Sequence, residues 1–292
     1  MDPGSVLILG SGGYVGSALT RHLRGQGFTV TGVDNGMRPG SVANPESARD
    51  YRDLTAAELA GYGAVVLVAG HSSVGACDRE PAAAFANNVA GFADLVHKLQ
   101  GQKLIFASSV SVYVQTGGRA VAEDEPLPEP VSLYDLHKRM IEQYAGVGYP
   151  NSYALRLGTM CGPSPNVRTD VLLNSLVWSA VTRRQIRVAN RGCWRPLLGI
   201  NDLCRAAAAL IEQSVPPGRY NLASVNVTVG EVAEYVAARF GVPCVEVELP
   251  NRYDMAAATD KFTKATGVPF SDTVASLVEE LAAFDHAIPV PA

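Results

Sequence analysis

The stretch LILGSGGYVGSALTRHL, residues 7–23, runs from an apolar strand-like segment through Gly10, Gly13 and Gly16 into a helical one. In that context each glycine has a task. Gly10 permits a tight turn, Gly13 lets a pyrophosphate approach the backbone, and Gly16 allows helix and strand to pack closely, while free N–H groups at the helix start attract the anion. Tyr14 and Val15 belong to the same turn and count with the cofactor site. Asp34 follows the next apolar run, TVTGV (29–33), where a carboxylate hydrogen-bonds a ribose 2′-OH. That carboxylate repels a 2′-phosphate, and NGMRPG (35–40) sets no arginine immediately beside it, so the pattern favours NAD over NADP; Asn35 joins the cofactor set.

Working outward, SVLIL (5–9), TVTGV (29–33), AVVLV (64–68), KLIFA (103–107) and SYALR (152–156) are short and apolar without alternation, which marks strands buried on both faces. Helical stretches at 16–24, 81–98 and 134–147 lie between them. The order predicts an α/β fold, a Rossmann-type doubly wound parallel sheet with a smaller C-terminal α/β substrate-binding lobe. Residues 1–160 form the NAD-binding domain, with 196–214 returning to it. Residues 161–195 and 215–292 form the lobe, interleaved, with helices expected at 171–184, 200–213, 229–241 and 271–284.

Composition excludes several classes. With 292 residues, 47% hydrophobic and 18% charged, the chain buries a large core. A formal charge of −4 without a basic cluster argues against nucleic acid. Five cysteines with no CxxC pair suit reduced thiols in the core. No secretory signal or apolar run of the ~20 residues that span a bilayer is visible, so a cytoplasmic protein without membrane contact is expected. The five histidines form no HExxH or other ligand cluster, so no metal is expected, and no GxSxG elbow supports a serine hydrolase. The acidic EDEPLP segment (123–128) reads as a solvated loop.

Chemistry centres on VSLYDLHKRMIEQY, residues 131–144, where Tyr134 and Lys138 share one helical face. An ammonium there favours the phenolate, lowering its pKa from about 10 toward working pH and making a general base. The pair follows the strand ending in ASSVSVY (107–113), whose hydroxyls can bond both substrate and tyrosine.

Together these features resemble the extended short-chain dehydrogenase/reductase family, in particular its NAD-dependent nucleotide-sugar epimerase and dehydratase branch. The likeness runs through GSGGYVG, Asp34, Asp53–Leu54, VAGHSSVGACDREPAAAFANNVAG (68–91), FASSVSVY, YDLHK, ALRLGTMCGP (154–163), WRPLLGINDLCRA (194–206) and YNLAS (220–224). It implies Tyr134 as base, Lys138 on the nicotinamide ribose, and Ser109 as hydroxyl partner. It implies Asp53 and Leu54 flanking the adenine, with Ala69, Gly70, Ala107 and Asn88 along the cofactor. A nucleotide-diphosphate sugar is the implied substrate, gripped by Arg195 and Arg252, with Asn88, Ser109, Ser111, Arg168 and Asn174 as further contacts. His71 borders the cofactor or packs a helix start.

Departures from the family narrow the reaction. Sugar 4,6-dehydratases resemble this chain but carry Asp-Glu where Val110 and Ser111 stand, decarboxylases have Glu and GDP-mannose 3,5-epimerases Cys in place of Ser111, and neither valine nor serine supplies that proton chemistry near neutral pH. A redox cycle remains, implying a C4 epimerase; the alternative is an NAD-dependent ketoreductase or dehydrogenase. A catalytically idle NAD-sensing protein is the reading from another class. Thr159, Ser72 and Val114 replace an asparagine, a lysine and a glycine of the galactose-type 4-epimerases, which puts UDP-galactose in doubt. Helices at 81–98 and 134–147 could pair two copies as a homodimer.

Overall fold

The computed structural model describes residues 2–38, 40–41, 48–251 and 253–284. Six strands form the central sheet: β1 (Asp2–Leu9), β2 (Thr29–Val33), β3 (Tyr62–Leu67), β4 (Lys103–Ser109), β5 (Ser152–Leu157) and β6 (Gly218–Leu222). Their order is β6-β5-β4-β3-β1-β2, and every pairing is parallel. Side chains alternate between two cores because a strand's period is two. Val6, Ile8, Ala64 and Val66 face the helices Tyr14–Gly25 and Ile200–Glu212. Leu7, Leu9, Val65 and Leu67 face Gly91–Lys98 and Leu133–Gly148, burying Phe92, Leu95, Ile141 and Ala145. Each such Leu, Ile or Phe contributes about 1.5–3 kcal/mol by leaving water, which explains why both faces must be covered.

The Rossmann-type architecture is the one expected, but the lobe boundaries are not. Gly218–Leu222, placed in the lobe by sequence, adds an edge strand to the main sheet, pairing Tyr220 with Leu155. The helix Asp260–Thr266 also returns, inserting Phe262 into the first core. In the other direction Gln115–Val121, from within the first 160 residues, leaves to pair with Asp254–Ala257. The rest of the lobe holds a three-stranded sheet, Val225–Thr228, Trp194–Gly199 and Thr159–Cys161, against Leu172–Arg183, Val229–Phe240 and Val274–Ala282, and a parallel pair, Ile186–Val188 with Cys244–Glu246.

The helical stretch at 81–98 is continuous but changes pitch, with a π-helical turn at Ala86–Ala90 between Pro81–Phe85 and Gly91–Lys98. Asp53 ends the 3-10 turn Tyr51–Asp53. Nor is 123–128 simply a solvated loop. Glu123 is buried, its Oε1 accepting the Asn221 N–H of β6 at 2.7 Å. Among the described residues no helix is long and apolar enough to cross a membrane.

β1 has β2 on one side and β3 on the other, so the chain reverses direction across the sheet there. The crevice outside the carboxyl ends of those strands is where open α/β sheets bind ligands.

Candidate active site

A cavity of about 660 Å³ occupies that crevice. Its floor is the glycine turn. Gly10 has φ +90°, and a Cβ there would meet the Ala69 nitrogen at 2.5 Å; one on Gly16 would meet the Gly10 carbonyl oxygen at 1.9 Å. Both positions therefore demand glycine. The carboxylate of Asp34 is held from both sides, Oδ2 accepting the Gly12 N–H and Oδ1 the Gly36 N–H, each at 3.0 Å. Gly13, Tyr14, Val15, Asn35, Ala69, Gly70 and Ala107 line the same cavity.

At its far wall stand Ser109, Tyr134 and Lys138. Ser109 ends β4, and its hydroxyl accepts the Ser111 N–H at 3.1 Å, so the 3-10 turn Val110–Tyr113 fixes its direction. Ser132 caps the helix Leu133–Gly148 by accepting the Asp135 N–H. That start sets Tyr134 in the first turn, and Lys138 follows one turn later with Nζ 5.5 Å from the tyrosine ring centre, donating to the Ala107 carbonyl at 2.6 Å.

The electrostatics differ from the sequence expectation. Burial pushes the Tyr134 phenol up to about 12, although its hydrogen bond with Ser109 pulls the other way. Burial also brings the Lys138 ammonium down to about 8. Desolvation disfavours both charged forms.

The remaining site residues fall into two groups. Arg168, Arg195 and Ser111 line the cavity. Arg168 is clamped to Asp170 at 2.6 Å and reaches Ser72 Oγ at 3.2 Å. Arg195 donates to the Trp194 and Tyr253 carbonyls and to Asn251 Oδ1, and makes no ion pair among the described residues. Burial depresses its pKa, as expected of a desolvated cation facing neutral acceptors.

The others stand outside the lining. Asn88, in the π-helical turn, is consumed by His71, accepting its N–H at 2.9 Å and donating to its carbonyl at 3.1 Å. Asn174 donates to the Tyr14 hydroxyl and the Arg168 carbonyl and accepts the Gly162 N–H. Both amides shape the wall, since their donors and acceptors are already matched. Leu54 is buried in the second core, and Asp53 is absent from the lining. Arg252 lies outside the described residues. Among the described residues no group of His, Cys, Asp or Glu could hold a metal.

Several lining residues escaped the sequence reading. Arg49 and Tyr51 line the cavity where Asp53 and Leu54 were expected, and Tyr51 donates its hydroxyl to the Asn87 carbonyl at 2.6 Å. Arg38 lies only four residues past Asp34, yet its guanidinium is spent on Asn166 and the Val167 carbonyl, which ties the lobe to the cofactor floor. Tyr253 and Met255 come from the far end of the chain. Residue type and spacing carry no signal for such contacts.

A second cavity of about 570 Å³ abuts the first and shares Val74, Thr159, Arg195 and Tyr253 with it. The helix Leu172–Arg183, the strand Ile186–Val188 and residues 249–251 supply its walls.

Comparison with known proteins places the chain. The family profile described as NAD dependent epimerase/dehydratase family matches residues 6–223. The CapI protein of Staphylococcus aureus is 27% identical over 73% of this chain and 71% of its own length. A UDP-glucose 4-epimerase of Streptomyces lividans is 26% identical over 85% of each. Among solved structures, the UDP-glucuronic acid 4-epimerase of Bacillus cereus, in complex with UDP-glucuronic acid and NAD, superposes with a TM-score of 0.82 at 19% identity, covering 95% of this chain and 98% of that one. At that identity the likeness speaks for the fold.

Proposed function

Because the chain belongs to the NAD dependent epimerase/dehydratase family, we propose that it inverts a nucleotide sugar at C4 through a transient 4-keto sugar. NAD fits the floor described above, with Asp34 held to receive ribose hydroxyls; when bound, it would supply the hydride acceptor.

Tyr134, ionised in the loaded site, removes the proton of the C4 hydroxyl as the C4 hydrogen departs as hydride. Ser109 holds that oxygen. Lys138 keeps its ammonium near the phenolate, anchored by the Ala107 carbonyl. The keto sugar turns over, hydride returns to its other face, and Tyr134 gives the proton back to the oxygen. Proton transfer by a positioned group contributes about 10²–10⁴-fold. No net oxidation occurs.

The observation that carries this reading is Val110 and Ser111 directly after Ser109. Neither can act as the additional acid or base that elimination or decarboxylation needs, so the site is left with a redox cycle. Arg195 supports the substrate class, being a desolvated cation that makes no ion pair among the described residues and stands at the junction of two cavities, suited to a diphosphate joining sugar and nucleoside. Two copies would pair through the helices Gly91–Lys98 and Leu133–Gly148, near which Leu136, Tyr144 and Val147 are exposed; sedimentation equilibrium tests that.

The test is to incubate the protein with UDP-, GDP-, dTDP-, CDP- and ADP-sugars and follow stereochemistry by NMR. A C4-inverted product without stoichiometric NADH is expected. A product formed only with added NADH would replace the epimerase with a ketoreductase.

A further inference from the structure

Asp135 follows the tyrosine, is 0% exposed, and has no part in the chemistry above. Its Oδ2 accepts hydrogen bonds from Ser132 Oγ and Tyr253 Oη, both at 2.7 Å, and those two hydroxyls lie 3.1 Å apart. Its Oδ1 is buried without a hydrogen-bond partner among the described residues. A carboxylate so placed is expensive, so it is poorly explained as a stabilising device. Tyr253 is unusual too. It lines both cavities, its carbonyl accepts from Arg195 at 2.5 Å, and its N–H donates to Asn251 Oδ1, which Arg195 also reaches. One residue, through its carbonyl at Arg195 and its hydroxyl at Asp135, thus connects the cation at the junction of the cavities with the first turn of the helix that carries Tyr134.

We propose that Tyr253 is a positioning residue that transmits occupancy of the anion site at Arg195 to Tyr134, acting through Asp135. An anion drawing on the Arg195 guanidinium competes with the Tyr253 carbonyl and so repositions Tyr253. Movement of the Tyr253 hydroxyl then alters how Asp135 is held, and with it the tyrosine next in sequence. In this way binding energy from the nucleotide half of the substrate acts at the reacting half, which is how remote contacts raise turnover. The inference rests on the proposed reaction for its kinetic consequence, though not for its binding consequence.

Tyr253→Phe keeps the ring and removes both hydroxyl contacts. With a turned-over nucleotide sugar, kcat should fall about tenfold, while KM and the dissociation constant of UDP measured by calorimetry stay within about twofold. Asp135→Ala should do the same, the double variant should lose no more than either single one, and Asp135→Asn, which keeps an acceptor, should recover most of kcat. The second readout needs no turnover. The Tyr134 phenol faces Lys138 and Asp135 on its own helix, Ser109 on β4, Cys77 on the helix Val74–Arg79, and Arg168. Its titration, followed as phenolate absorbance lost in Tyr134→Phe, should shift when UDP binds the wild type and stay put in Tyr253→Phe. An unshifted wild-type titration, additive losses, or kcat, KM and UDP affinity falling together with stability would each overturn the proposal. A panel without turnover but with the UDP-dependent shift intact would fault the assigned reaction alone.

Discussion

Replacing Glu142 by glutamine should cost more than any surface charge in this protein, and the structure indicates how much. Glu142 and Arg156 are 3% and 1% exposed, and two hydrogen bonds join them, Nε to Oε1 at 2.9 Å and Nη2 to Oε2 at 2.7 Å. Ser108 donates to the same Oε1 at 2.5 Å. The guanidinium continues to the Tyr113 hydroxyl, which reaches Asn221 on β6. Burial alone would push the Arg156 pKa down; the hydrogen bond and charge of Glu142 more than reverse it. Removing one charge leaves the other desolvated and unpaired, at a cost of about 3–5 kcal/mol. Against a total stability of roughly 5–15 kcal/mol, that is a large fraction. Urea unfolding followed by circular dichroism should show the midpoint falling with an unchanged slope. Glu142→Leu combined with Arg156→Met, which removes both charges, should regain most of the loss. A loss under about 1 kcal/mol in Glu142→Gln, the range of an exposed pair, would refute the reasoning.

Two further expectations follow from the site. Lys138 has its pKa lowered to about 8 by burial, so the fold favours its neutral form; its contribution is fully present above the unfolded value of about 10.4 and lost as pH falls through about 8. The unfolding free energy of wild type relative to Lys138→Met should therefore rise between pH 8 and 10, and a pH-independent difference would contradict the assigned burial. Val114 is a buried, β-branched residue at φ +59° where the turn after Ser109 ends. Relief of about 1–2 kcal/mol of strain should make Val114→Gly milder than Val112→Gly by about that amount in the same denaturant assay, and equal losses would show the turn to be unstrained.

What the sequence disclosed was the chemistry written in local spacing. The glycine turn, Asp34, and the tyrosine four residues before a lysine are each decided by neighbours along the chain, and the structure brings them to one cavity. Contacts made across the fold were illegible. Nothing in GRYNL marks it as a sixth strand rather than part of the lobe, because a five-residue edge strand reads alike in either place. Asn88 and Asn174 have the residue type of ligand contacts, yet their amides are satisfied by His71, Tyr14 and Arg168. The expected acidic phenol failed for the same reason: spacing places the ammonium nearby, but only the packed wall reveals how much water both groups lose.

The claim at the centre is that hydride leaves C4 and returns to it while Tyr134 handles the proton. A nucleotide sugar deuterated at C4 tests it most directly, with the product examined by NMR. The account predicts inverted product that keeps its deuterium at C4 with the wild type, and no inversion with Tyr134→Phe. Deuterium lost to solvent during inversion, or full activity in Tyr134→Phe, would contradict it.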